Sequence, residues 1–304
     1  MELNKIQSRL LIIFSVMGLF SYSLVYNNFI HNNLSLLFYC FFLILILGVS
    51  HGALDHIRGK RILGPYLNKK WPLVFFPGYI LLGLIVIISW IQFPPITLFL
   101  FLIVAGYHFG EEDLGFFKDG SGFVFNIISF LKGFLIITLS FHFNFETTSL
   151  FFNYLIVPQN EYEFLVSYKS ALFSLNLLCL VVGLIYLFKE NINQLVLILL
   201  EVLLITISFI YLPLILAFSL YFCFLHSSKH IIGLSKELDP KDIGNGLKLF
   251  SIKAIPLTLV TAIAAILFVF LLSEKIDENI IKTIFIGLAS LTLPHILLEV
   301  IDKK

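Results

Sequence analysis

Apolar runs of about 18 to 25 residues, the length an α-helix needs to cross a bilayer core, recur from one end of this 304-residue chain to the other. In lipid every backbone N–H and C=O has to be satisfied within the segment, so runs of this kind fold as helices and not as open strands. No stretch alternates apolar and polar residues in the manner of a lipid-exposed barrel strand. Ten spans are predicted, over 10–26, 36–57, 73–91, 95–109, 123–143, 164–188, 193–210, 213–232, 254–273 and 280–300. The fifth is the weakest, because Lys132 falls in its middle and a second apolar piece follows at 149–157. That region is expected to be a tilted helix with a re-entrant or interfacial segment. The expected fold is all-α: a polytopic transmembrane bundle of about ten helices, one integral membrane domain over 1–304.

Composition narrows the functions open to such a chain. Hydrophobic residues make up 59% of it and charged residues 13%, against roughly 25% charged in soluble domains, which leaves no room for an appended soluble module. No basic patch with interleaved aromatics is present, so nucleic acid is not an expected partner. Cys40, Cys179 and Cys223 all fall in apolar runs and are expected to be small buried hydrophobes. Lys5 and Arg9 precede an apolar run that lacks a small-residue cleavage site, so the first helix is expected to stay as an anchor. The 34 phenylalanines are first of all lipid-facing filler. Their second use is an aromatic-lined tunnel for a long apolar substrate.

Orientation follows from the connecting loops, since Lys and Arg concentrate on the cytoplasmic side. Arg58, Lys60, Arg61, Lys69 and Lys70 follow the second span, and Lys236, Lys241, Lys248 and Lys253 follow the eighth. The loops at 27–33, 92–95 and 211–213 carry no basic residue. Both termini are therefore expected in the cytoplasm, in a multi-pass protein of the cell (inner or plasma) membrane. The chain shows no internal repeat and no matched pair of broken helices, which weighs against a transporter built from inverted repeats.

Six of the eight histidines gather on this topology at one level. His51 and His56 end the second span, His108 the fourth, His226 and His230 the eighth, and His295 lies near the end of the tenth. All of these are even-numbered spans reaching the cytoplasmic interface. His31 and His142 fall near the opposite interface and are expected to be structural. Imidazoles and carboxylates are costly at membrane depth, so several at one level ask for a shared ligand, and neutral imidazole is the commonest metal ligand. Residues four apart share a helix face: His226 with His230, His51 with Asp55, His108 with Glu112, and His295 with Glu299. The first pair can supply two ligands to one ion. The others set a carboxylate beside an imidazole, as an orienting partner, although such partners need not come from the same helix. His56, five residues on from His51, is the poorer ligand. Gly52 and Gly110 beside the motifs allow close helix approach or a helix end.

Imidazoles without thiolate suit Fe, Zn, Cu or Ni. Haem b is disfavoured, because two histidines one turn apart cannot flank its ring. Four imidazoles with few direct carboxylates favour a mononuclear ferrous centre with open positions for O2. A di-iron membrane hydroxylase or desaturase would want more histidines, in boxes that include HxxHH, which is absent.

The ordered set HGxxDH (51–56), HFGxxD (108–113), HSxxH (226–230) and the late Pro294-His295 resembles the Brp/Blh family of integral membrane β-carotene 15,15'-dioxygenases. The set spans 50–299, nearly the whole chain. The resemblance implies oxidative cleavage of β-carotene by O2 at its central double bond, giving two all-trans-retinal, the chromophore of microbial rhodopsins. It implies Fe(2+) held by His51, His108, His226 and His230. On it, His295 faces substrate or supports the ligands, with Asp55, Glu112 and Asp113 orienting them and His56 and Glu299 close by. Tyr107, Phe109 and Tyr221 are candidates, by position, for aromatic faces beside the polyene. The alternatives are a membrane non-haem iron lipid or carotenoid hydroxylase or desaturase and, from another class, a divalent-metal transporter, whose ligands would sit near the bilayer midplane with a path to both faces.

Overall fold

A computed structural model describes residues 2–27, 29–30, 32–117 and 122–302, apart from the side chains of Glu2 and His51. Its helices are α1 (Glu2–Tyr26), α2 (Asn33–Leu43), α3 (Asp55–Leu67), α4 (Trp71–Gln92), α5 (Pro94–Gly115), α6 (Phe123–Phe143), α7 (Phe145–Tyr154), α8 (Leu165–Phe188), α9 (Ile192–Tyr211), α10 (Leu214–Leu220), α11 (Ser227–Leu238), α12 (Ile243–Leu271) and α13 (Ile276–Asp302). Among the described residues no strand occurs. Nine runs among the described residues are long and apolar enough to cross a membrane. One of them, Asn33–Gln92, folds back at Asn68, whose φ of 49° is left-handed, and so makes two passes. The result is the expected multi-pass bundle of about ten helices.

Helix ends follow local chemistry. Pro94 opens α5, where the missing N–H would have no intrahelical partner in any case. The side chains of Asn32, Asn191 and Asp242 accept backbone N–H bonds at the starts of α2, α9 and α12.

Two predicted spans are not continuous α-helix. The second passes from α2 into a π-helical turn, Ile44–Gly48, and a 3-10 turn, Val49–Leu54, before α3. The eighth runs through α10, a π-helical turn at Tyr221–His226, and α11. The two irregular stretches pack on each other: Phe222 occupies the space a side chain at residue 48 would need, and the Ser227 hydroxyl donates to the Gly48 carbonyl (3.4 Å). Single π turns gather at functional sites, and here each delivers a histidine motif. Hydrophobic periodicity carries no signal for one extra residue in a turn, so both predicted spans are uninterrupted in the sequence pattern.

The weak fifth span is the regular helix α6, with Lys132 buried inside it. The apolar piece after it forms the second half of α7 and a tight turn, where Ile156 has φ 66°. Cys40 and Cys223 are buried as expected, but Cys179 is exposed on α8, one more apolar residue on the outside of a membrane bundle.

The most extensive helix contact is that of α5 with α6. A Cβ on Gly110 would overlap the Ser129 carbonyl, and one on Gly133 would overlap the Gly106 carbonyl, so the two backbones are in direct contact, as small residues permit in membranes. Gly52 has room for a Cβ and is not a close-approach position. Gly133→Val should therefore lower thermal stability in detergent by more than the about 1–3 kcal/mol usual for overpacking, because backbone and not side chain is in the way. Gly287→Ala, with open space around it, should leave the melting temperature unchanged or raise it.

Candidate metal centre

Helix α5 brings His108 inward against His226 and against His295 of α13, away from the face that Gly106 and Gly110 turn to α6. The π turn ends on His226, and one further helical turn along α11 brings in His230, while α13 contributes His295 from the other side. All four are buried. Their rings form a chain, with centroids 5.2 Å apart for His226 and His108, 5.3 Å for His108 and His295, and 5.3 Å for His295 and His230. His226 lies 4.6 Å from the Phe109 ring and is stacked on Phe222. The side chain of His51 and the whole of His31 lie outside the described residues.

The carboxylates are paired across helices rather than along them. Asp55 accepts from His295 Nδ1 (2.8 Å) and from the Tyr79 hydroxyl (2.8 Å). Glu112 lies 2.8 Å from His230 Nδ1. Glu299 lies 3.7 Å from His108 Nδ1 and 3.9 Å from His230 Nδ1, and accepts from Arg58 at 2.6 Å. Of the expected pairings four residues apart, His295 with Glu299 approaches to 3.7 Å, while Asp55 and Glu112 serve imidazoles on other helices. A carboxylate on the outer nitrogen fixes the tautomer of a metal-binding histidine and turns its other nitrogen inward. His108, His295 and Glu299 bring one ligand atom each within 4.8 Å of one another, and so do Glu112, His230 and Glu299. His295, expected in a supporting role, thus stands inside the cluster, with the same carboxylate support as His230.

Beside the cluster lies a buried ionic group that no spacing along the sequence brings together. Lys132 donates to Asp113 (3.0 Å) and Glu201 (2.8 Å), and Lys229 donates to the same two carboxylates (3.3 and 2.7 Å). Two cations and two anions make a neutral, closed quartet, fully buried. The Tyr221 hydroxyl donates to Asp113 (3.0 Å) and the Gln7 amide to Glu201 (2.5 Å). Asp113 also lies 4.0 Å from His226 Nδ1, so the quartet abuts the histidines. The signal was present in the sequence: Glu201 alone in one span and Lys132 alone in another are opposite charges that hydrocarbon forces together.

A cavity of about 390 Å³ borders this cluster, lined mostly by apolar side chains. His108, His295, Asp55 and His56 supply its polar wall, and Phe109, Phe218, Phe222 and Phe285 its aromatic faces. Tyr107 and Tyr221 are not among the lining residues; Tyr221 is turned to Asp113. His56 Nδ1 is 3.0 Å from the Ala53 carbonyl. His142 stacks on Phe173 (4.7 Å).

The sequence profile of beta-carotene 15,15'-dioxygenases matches residues 42–301, the stretch that holds all four histidine motifs. The chain belongs to the beta-carotene 15,15'-dioxygenase family. A protein of that name from uncultured marine bacterium 66A03 is 27% identical over 259 residues, 84% of this chain and 90% of that protein. No solved structure matches the chain. Membership makes it an enzyme of the oxygenase class, and the imidazole and carboxylate groups could hold a metal ion.

Removing one partner of a buried pair leaves a bare charge. Lys132→Met should cost about 3–5 kcal/mol of stability, read as loss of the folded protein on thermal challenge in detergent. Adding Glu201→Gln to that variant should recover part of the loss, because one anion then faces one cation.

Proposed function

We propose that the protein cleaves β-carotene at its central 15,15' double bond with O2 to give two all-trans-retinal, using Fe(2+) held by His51, His108, His226 and His230. The observation that carries this reading is a cluster of buried imidazoles, two of them with a carboxylate on Nδ1, bordering a mostly apolar cavity. The donor chemistry fits ferrous iron: imidazoles, no thiolate among the clustered residues, and nearby carboxylates to orient the rings. Iron, when bound, supplies the redox chemistry by which O2 reacts with an alkene.

The protein's own residues do the rest. Glu112 fixes the His230 ring, and Asp113, anchored by its two lysines, sits against His226. Asp55, itself held by Tyr79, orients His295 toward the shared centre, where it supports the ligands or faces the substrate. The apolar walls bind the polyene and keep water from a reactive intermediate. Phe109 and Phe222, beside His226, offer π faces to positive charge developing on the chain. Both oxygen atoms end on the two carbons of the broken bond, so two aldehydes leave and no further reductant is needed.

On this reading the bilayer supplies the substrate, and the protein works as one domain in the cell membrane with both termini cytoplasmic. A retinal-binding rhodopsin is the natural consumer of the product. The hydroxylase or desaturase alternative keeps the carbon skeleton and is separated by product analysis. A cation transporter is disfavoured by the cavity wall, which is mostly apolar where an ion path would need a continuous polar lining.

Expression in a β-carotene-accumulating bacterium should bleach the cells and yield retinal. Coloured cells with iron-loaded protein and no retinal would sink the proposal. His226→Ala should lose both bound iron, measured by elemental analysis, and retinal formation. Glu112→Gln should retain the fold and bind iron about 10–100-fold more weakly.

A further inference from the structure

The cavity is asymmetric in its exposure. The exposed residues of its lining fall at one end: Phe76 (38%) and Ile80 (61%) on α4 and Val260 (64%) on α12. Both helices pack on α13, and these side chains lie on the outer face of a bundle that lipid surrounds. The opposite end is closed. Leu98, Phe141, Phe152 and Leu155 line it, all buried, and they belong to a separate core with Trp90 and Tyr162. That plug is tightly held. Trp90 Nε1 donates to the Leu155 carbonyl (3.0 Å), Tyr162 shares a hydrogen bond with Ser149 (2.7 Å), and Phe152 packs edge-on against both Phe141 and Tyr162. The turn behind it carries a β-branched residue in the left-handed region, Ile156, pinned by the bond from Val157 N–H to the Phe152 carbonyl (2.9 Å). Strain of this kind persists only where its surroundings over-determine it.

The histidine cluster lies between mouth and plug. Along α5 the lining stripe runs from Leu98 to His108, and along α13 from Phe285 to His295. Ten residues of helix span about 15 Å in each case. This is the order of half the length of an extended, ring-capped polyene.

Resting on the β-carotene reading above, we propose that the cavity is a ruler: the substrate enters from lipid between α4 and α12, one ring runs up the blind arm until it meets Phe152 and Leu155 of the α7 plug, and the depth of that arm sets which double bond lies at the metal centre. The bond cut is then determined by distance from the ring end. With a symmetric carotene, a stop at half-length gives two equal aldehydes. A stop displaced by one repeat of the polyene gives an unequal pair, with the two atoms of O2 again ending on the two carbons of the broken bond.

The test is product chain length with purified enzyme and β-carotene. Wild-type protein should give equal halves. Phe152→Leu deepens the arm and Leu98→Phe shortens it, and each should shift a measurable share of product to unequal carbonyl pairs, one longer and one shorter than retinal. Equal halves alone from variants that still turn over would overturn the ruler while leaving the activity intact; failure of wild type to cleave would instead overturn the activity. The wild-type protein offers a second arm that needs no substitution. An apocarotenal, ring-capped at one end and truncated at the other, should be cut at the same distance from its ring, releasing retinal. A cut that follows the middle of the shortened polyene would refute the proposal. Ile80→Trp combined with Val260→Trp should raise KM several-fold and leave the product pattern as in wild type. An unchanged KM would remove the mouth from between α4 and α12.

Discussion

A charge or hydrogen-bonding group inside a membrane bundle has no water to turn to, and this protein places more than a dozen such groups in one continuous seam. The seam starts at Gln7 on α1, passes through Glu201 on α9 to Lys132 on α6 and Lys229 on α11, and reaches Asp113 on α5. From Asp113 it passes His226 and continues through His108 and Glu299 to Arg58 on α3, and through His295 and Asp55 to Tyr79 on α4. Each member is tolerable only because the next one is there. Apolar contact between helices is weakly specific in lipid, since lipid tails are as apolar as leucine. The polar seam is what gives the bundle one register.

The packing around it serves the same end. The α5–α6 contact at Gly110 and Gly133 sets the helix that carries His108, Glu112 and Asp113 against the helix that carries Lys132, at backbone distance. The facing π turns at Ile44–Gly48 and Tyr221–His226 let two motif-bearing spans change the direction in which their side chains point without breaking the pass. Phe222 fills the space beside Gly48 and stacks on His226, which itself meets the ring of Phe109.

Much of this was legible from the residues. Span number and helical class followed from apolar run length, because lipid enforces that rule without exception for the lipid-facing backbone. The gathering of His108, His226, His230 and His295 followed from counting spans, since alternate helices end on the same side. Which carboxylate serves which histidine was not legible. Spacing of four residues reports one helix face, whereas Asp55 and Glu112 reach across to α13 and α11, and inter-helix distance has no sequence period. The quartet was half legible: Lys132 stood out as an intramembrane charge, but its partners lie 19 and 69 residues away. The π turns left no signal, and neither did the mouth of the cavity, which depends on where two distant helices part.

Asp113 joins the two halves of the seam, and its position decides how they depend on each other. One carboxylate oxygen takes Lys132 and Tyr221, and the other takes Lys229 and faces His226. The lysines neutralise Asp113 as far as the fold is concerned, yet they also hold it against the imidazole. A change at Glu201, on the far side of both lysines from His226, therefore reaches the histidine only by moving lysines that Asp113 depends on. Residues that share one network do not add, so the stability of the bundle and the geometry of the centre are not separable quantities here. The same reasoning sets apart His295, whose support comes from Asp55 and Tyr79 and does not pass through the quartet. The centre is thus held from two sides: by an anchor shared with the fold, and by one, between α3, α4 and α13, that borders the cavity.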